Sequence, residues 1–144
     1  MRAAGVFALI YNQKQELLLC LRSDLELWNL PGGGLEDDES PWDGVVREVR
    51  EEIGVDARVE RLSGLYWRPE KNEVVYVFVC EITGEPQTSD EVRETRYFPV
   101  GELPKNVSGR LGERIADSLD GELNTKLRVQ TGEGSIALIK KGLL

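Results

Sequence analysis

Apolar and polar positions along the chain change period several times, and each change marks an element. Gly5 to Tyr11 and Leu17 to Leu21 are apolar runs of strand length, separated by the turn-forming Asn12-Gln13-Lys14-Gln15. From Pro41 to Ile53 the spacing becomes helical, because Trp42, Val45, Val46, Val49 and Ile53 gather on one stripe at about 100° per residue. Ala57 to Trp67 and Val74 to Ile82 return to strand patterns. The run from Val74 to Val79 is nearly continuous in apolar residues, as expected of a central strand covered on both faces. Thr83-Gly84-Glu85-Pro86 supplies a turn, and Arg96 to Val100 forms a short strand closed by Leu103-Pro104. Leu111, Ile115 and Leu119 then recur at helical spacing, which predicts a second helix over about 109–120. Residues 121–144 carry a weaker pattern and are treated as a C-terminal extension, with Ser135 to Ile139 as an added strand or a loosely packed tail.

The first helix has its ends written into the sequence. Ser40 is an N-cap, Pro41 suits the first helical position, Asp43 makes the first turn acidic, and Gly54 is a C-terminal stop. Beside the apolar stripe, Glu48, Glu51 and Glu52 occupy one strip, since residues three and four apart share a helix face. Each like-charged pair at such spacing costs roughly 0.2–0.5 kcal/mol. The commoner meaning of a glutamate run is a solvated acidic face. A hard divalent cation taking oxygen ligands would instead turn the repulsion into a site. The strip flanks the buried stripe, with Glu52 nearest the core edge. Arg47, one turn before Glu51, is placed to pair with it.

Composition narrows the chemistry. The chain has 144 residues and no histidine, which excludes Ser-His-Asp and Cys-His catalysis and histidine-bearing zinc sites. Cys20 and Cys80 lie far apart in apolar strand-like runs, so buried thiols are expected and a cytoplasmic setting fits. No apolar stretch reaches the roughly 18 residues of a membrane span, and the apolar run after Met1-Arg2-Ala3-Ala4 reads as a first strand. A net charge of −8 argues against non-specific nucleic-acid binding. No internal repeat, low-complexity tract or linker divides the chain, so 1–144 is expected to be a single domain.

The spacing of the motif is Gly33, five residues, Glu39, seven residues, then Arg47-Glu48-Val49-Arg50-Glu51-Glu52-Ile53-Gly54-Val55. This resembles the signature of the Nudix hydrolase family, and Trp28-Asn29-Leu30-Pro31-Gly32 is similar to the family's lead-in. One departure is Asp37-Asp38, where many members carry Pro-Gly; Asp tolerates left-handed turn geometry. The resemblance implies an α/β fold, an α/β/α sandwich with a mixed sheet whose signature helix spans 41–53. It implies metal-dependent hydrolysis of a pyrophosphate bond in a nucleoside diphosphate linked to another moiety: ADP-ribose, a nucleotide sugar or a nucleoside triphosphate. The alternative is a Nudix-like module that senses a nucleotide without cleaving it, against which the intact acids weigh.

By the same resemblance, Glu48, Glu51, Glu52 and the Gly33 carbonyl would hold Mg²⁺, with Mn²⁺ as the alternative, and Arg47 would orient the carboxylates. Glu39 supports the loop and helix start. Glu91, in the loop Ser89-Asp90-Glu91-Val92-Arg93-Glu94, lies at the family's spacing from Tyr97 for a further acid, and the general base is left open among Glu48, Glu51 and Glu91. Arg22 and Arg68 are candidates for substrate phosphate. Arg68-Pro69-Glu70-Lys71 follows a strand end that could line a substrate mouth. Trp28, Tyr66, Trp67 and Phe98 are read as core aromatics before base-stacking ones. The expected partner is a small nucleotide derivative, with neither nucleic acid nor membrane, and the family suggests a homodimer.

Overall fold

A computed structural model describes residues 3–132 and 135–142. Among these residues, eight strands form two sheets. The larger joins β1 (Ala3–Leu9), β4 (Gly32–Gly34), β5 (Asp56–Arg68), β6 (Glu73–Thr83) and β8 (Lys126–Val129) in the order β4-β1-β6-β5-β8. It is mixed: β1 runs parallel to β6 and β5 parallel to β8, while the other pairs are antiparallel. The smaller sheet places β2 (Glu16–Arg22) between β3 (Trp28–Asn29) and β7 (Val92–Pro99). There are two main helices, α1 (Pro41–Ile53) and α2 (Leu111–Ser118), and a short α3 (Ser135–Lys140) after β8.

Strand alternation sorts the core into two layers. Val6, Ala8, Leu18, Cys20, Phe78 and Cys80 pack with Val45, Val49 and Ile53 of α1. The residues between them, Leu9, Leu17, Leu19, Val75, Val77 and Val79, pack with Leu111 and Ile115 of α2. Helices therefore cover opposite faces, which gives the α/β/α sandwich. Tyr66, fully buried, donates its hydroxyl to Asp117 at 2.8 Å, and Arg128 on β8 closes on the same carboxylate at 2.8 Å. This polar bolt ties α2 to β5 and β8. Both cysteines are buried and free. Among the described residues, no helix is long and apolar enough to cross a membrane.

The structure differs from the sequence reading at several places. Trp42 does not join the buried stripe but is 59% exposed, and Leu119 at the end of α2 is also exposed. Periodicity gives an angle around the helix, not how far the partner surface extends along it. Two strands that no side-chain pattern announces lie between Trp28 and Gly34: β3 is only two residues long, and β4 pairs through glycine backbone. Strand β7 starts at Val92, so Arg93 and Glu94 leave the expected loop. Residues 135–139 belong to a helix and not a strand, a short apolar run being ambiguous between the two. The added strand of the extension is β8 instead, four residues with little burial.

Candidate active site

Helix α1 holds its acids where its caps put them. The Ser40 hydroxyl accepts from the Asp43 N–H at 3.1 Å, and Gly54 adopts a left-handed φ of 68° that a side chain would disfavour. In the loop before it, Asp38 takes φ 61°, the left-handed conformation that aspartate tolerates. Glu52 then lies at the sheet edge, only 9% exposed, with one carboxylate oxygen accepting from the Gly32 N–H at 3.0 Å.

That burial has an electrostatic consequence. Desolvation pushes the Glu52 carboxyl up to about 8; the Gly32 N–H opposes the rise, and the neighbouring Glu48 and Glu91 add to it. Glu48 lies against Gly33 so closely that a Cβ there would stand 2.8 Å from its Oε1. Glycine at this position thus makes room for a carboxylate.

Arg47 organises the rest of the strip. Its guanidinium donates to Glu39 at 2.7 and 2.9 Å, to Glu48 at 3.0 Å, to Glu51 at 3.1 Å and to the Gly34 carbonyl at 3.1 Å. Glu39 also accepts from the Glu36 N–H at 3.1 Å, which ties the loop to the helix. The glutamates are not equivalent as a result. Glu48 and Glu52 approach one another beside β4, whereas Glu51 is drawn toward Arg47 with its side chain 56% exposed. Among the described residues, no three acidic or sulfur side chains form a ready-made metal cluster. The donor chemistry still suits a hard divalent cation: oxygen ligands, one of them buried without a positive partner, and a glycine that leaves space for another.

Glu52 lines a cleft of about 420 Å³ together with Arg22, Asp24, Asn29, Gly32, Asp90 and Glu91. Glu91 reaches it because its carbonyl accepts from the Ser23 N–H at 2.9 Å, just where Arg22 pairs with Val92 across the sheet. Arg22 is clamped by Asp24 at 2.7 and 2.8 Å. Arg68 lies elsewhere: it pairs with Glu73 at 3.3 Å and lines a second cleft of about 540 Å³, to which Gly33 and Arg22 also contribute. Sequence reasoning missed Arg110 and Arg114, which line the second cleft. Their spacing of four on a helix was the available signal. Among the aromatics, Tyr66 and Phe98 are buried; Trp28 meets Phe98 edge-on at 5.0 Å, and Trp67 is 36% exposed.

The NUDIX domain family model matches residues 1–117. A Bacillus subtilis (strain 168) protein named "Putative 8-oxo-dGTP diphosphatase" is 31% identical over 99% of this chain and 99% of its own length. A "MutT-like protein" of Streptomyces ambofaciens is 34% identical over 84% of this chain and 79% of its own. The crystal structure of an ADP-ribose pyrophosphatase from Streptococcus suis 89-1591 superposes with a TM-score of 0.73 at 27% identity, covering 88% of this chain and 99% of that one. The chain belongs to the Nudix hydrolase family.

Proposed function

We propose that this chain hydrolyses the pyrophosphate bond of a nucleoside diphosphate derivative, with Glu48 and Glu52 as principal ligands of Mg²⁺ or Mn²⁺. The observation that carries this reading is the buried Glu52 carboxylate beside Glu48, which is itself seated against Gly33. Two acids held this close resist joint ionisation, and a divalent cation removes the conflict. When bound, the cation supplies Lewis-acid charge to phosphate oxygens and acidifies water.

The chain's own residues do the rest. Glu52, one oxygen fixed by the Gly32 N–H, lines the cleft beside Glu48. Arg47 holds Glu48 and Glu51 in register, and Gly33 contributes its carbonyl as a further oxygen donor. Glu91, facing Glu52 across the cleft, is positioned to take a proton from water, a role also open to Glu48 and Glu51. Hydrolysis adds the water oxygen to one phosphorus, releases the bridging oxygen with the other phosphate, and frees a proton for that base. Arg22 and Arg68 meet substrate phosphate.

The relatives' names bring two substrate types to this chain, a nucleoside triphosphate and ADP-ribose. One domain over 1–144, a cytoplasmic setting and a homodimer are proposed with the activity. Incubation with nucleoside triphosphates, ADP-ribose and nucleotide sugars, with and without Mg²⁺, tests the reading. Metal-dependent release of phosphate-bearing products is expected. Binding without cleavage across the whole panel would replace the hydrolase with a sensor.

A further inference from the structure

The second cleft is lined by Arg22, Arg68, Lys71, Arg110, Arg114 and Lys140, against a single carboxylate, Glu73. That concentration occurs in a chain whose net charge is −8. Several of these cations lack partners. Lys71 and Lys140 make no ion pair or hydrogen bond among the described residues. The Nε atoms of Arg68 and Arg110 are buried with nothing to donate to. A buried donor left unmatched is costly, so an acceptor arriving from outside is the natural complement.

Arg114 shows how the cleft is braced. It is 8% exposed, packs over the rings of Tyr66 at 5.2 Å and Phe7 at 5.7 Å, and donates to Gln130 Oε1 at 3.1 and 3.2 Å. None of these contacts neutralises it. Burial pushes its guanidinium down to about 10, with Arg68 and Arg110 pressing in the same direction. Arg110 is shifted down by the same causes, burial first and then Arg68. Three guanidiniums are thus held close enough to repel, on a bolted scaffold, with only Glu73 and the more distant charge of Glu70 to offset them. A compact anion carrying several charges would satisfy the cleft; a neutral sugar would not.

The two clefts adjoin at Arg22 and Asn29, which line both. A substrate whose pyrophosphate lies beside Glu52 would therefore extend its remote part into the basic cleft. Part of the far wall, Ile136 and Lys140 of α3, comes from the C-terminal segment beyond the residues matched by the family model.

We propose that the basic cleft binds phosphate on the remote part of the substrate, so that the preferred substrates carry phosphate beyond the two groups flanking the broken bond. This rests on the hydrolase reading and selects the triphosphate type over the ADP-ribose type within it.

Two measurements separate the claims. In the first, inorganic tripolyphosphate is titrated calorimetrically into the full chain in EDTA, without divalent cation. The wild type is expected to bind. Lys71→Glu with Lys140→Glu should weaken binding by at least about tenfold, two charge reversals at the cleft rim being enough for that. Both lysines are exposed and, among the described residues, unpaired, so folding is not at stake. Arg110→Gln should weaken it as well. No binding, or equal binding by wild type and double variant, overturns the proposal.

In the second, kcat/KM is compared for a nucleoside triphosphate and ADP-ribose with Mg²⁺. The wild type should prefer the triphosphate, and the double variant should lower that preference by about tenfold or more. A wild-type preference for ADP-ribose, or a preference unmoved by the variant, overturns the proposal. Tripolyphosphate binding that depends on the lysines, in a protein that cleaves nothing, upholds the cleft and removes the hydrolase reading instead.

Discussion

Two adjoining clefts share Arg22 and Asn29 yet carry opposite charge. One gathers Asp24, Glu52, Asp90 and Glu91 around a single arginine; the other gathers six cations around Glu73. The net charge of −8 describes neither. It averages over a surface on which an anionic substrate would need a cation at one end and guanidinium groups at the other. The two clefts are also built differently. The acidic one brings the turn after β2 and the turn before β7 to the edge of α1, whose own signature acids Glu48, Glu51 and Glu52 are close in sequence. The basic one is assembled from a strand end, a 3₁₀ turn (Pro69–Lys71) and two helices spread over the chain.

The most damaging change to this arrangement should be Glu52→Gln. Turnover is expected to drop by more than about 100-fold, comparable to the loss of one strong electrostatic contributor in other active sites. Folding should persist, because the substitution removes a buried acid that burial already keeps protonated. Single-turnover assays at saturating Mg²⁺, with circular dichroism as the folding control, check both halves. Near-normal turnover in a folded, metal-loaded variant would remove Glu52 from its assigned role.

Gly33→Ala should act on the same cleft through space alone. The new Cβ would lie 2.8 Å from Glu48 Oε1, and the flexible carboxylate would swing away before the backbone moved. Turnover should fall by about tenfold through misplacement of that acid, with little loss of thermal stability. A large drop in stability with unchanged kcat would reverse the interpretation.

The acidic cleft also predicts a pH dependence of stability in EDTA. The folded-state pKa of Glu52 is raised from 4.5 to about 8, so between those values the folded protein keeps a proton that the unfolded chain has lost. Stability contributed by this group is therefore greatest in acid and is lost as pH rises through the window. Thermal unfolding should be higher at about pH 5.5 than at about pH 8.5, and Glu52→Gln should flatten the slope. Asp117, whose carboxyl is depressed with the Arg128 and Tyr66 hydrogen bonds outweighing its burial, acts in the opposite sense and only toward more acid pH. Mg²⁺ should restore stability at the alkaline end. A slope that survives in the variant would mean that another group carries it.

The contrast between the clefts explains what the sequence made legible. Helix α1 was readable to the residue because Ser40, Pro41 and Gly54 mark its ends and a 3.6-residue period marks its face. Glu52's place at the core edge followed from the same angles. Trp42 failed because no rule of periodicity says where the sheet ends. Strand β4 pairs through glycine backbone, and β8 adds to β5 with little burial, so neither leaves a hydrophobic signature. Arg110 and Arg114 were hidden for another reason: their meaning arises from Arg68, Lys71 and Lys140, distant in sequence and brought near only by the sheet and α2. Local order was legible, while convergence was not.

The smallest expected effect falls on the residue the clefts share. Arg22 donates two hydrogen bonds to Asp24, and both side chains are substantially exposed, 35% and 62%. An ion pair so open to water contributes little to folding, so Asp24→Asn should leave thermal stability almost unchanged. It should, however, free the guanidinium fork. Asp24 now occupies the geometry that a phosphate oxygen pair would use, and its charge opposes any anion passing between the clefts. The expected result is a KM lower by about twofold for phosphate-rich substrates, with kcat held and the gain fading at high salt. An increase in KM would show the reverse arrangement, in which Asp24 aims Arg22 at the substrate and the fork is useful only while it is held.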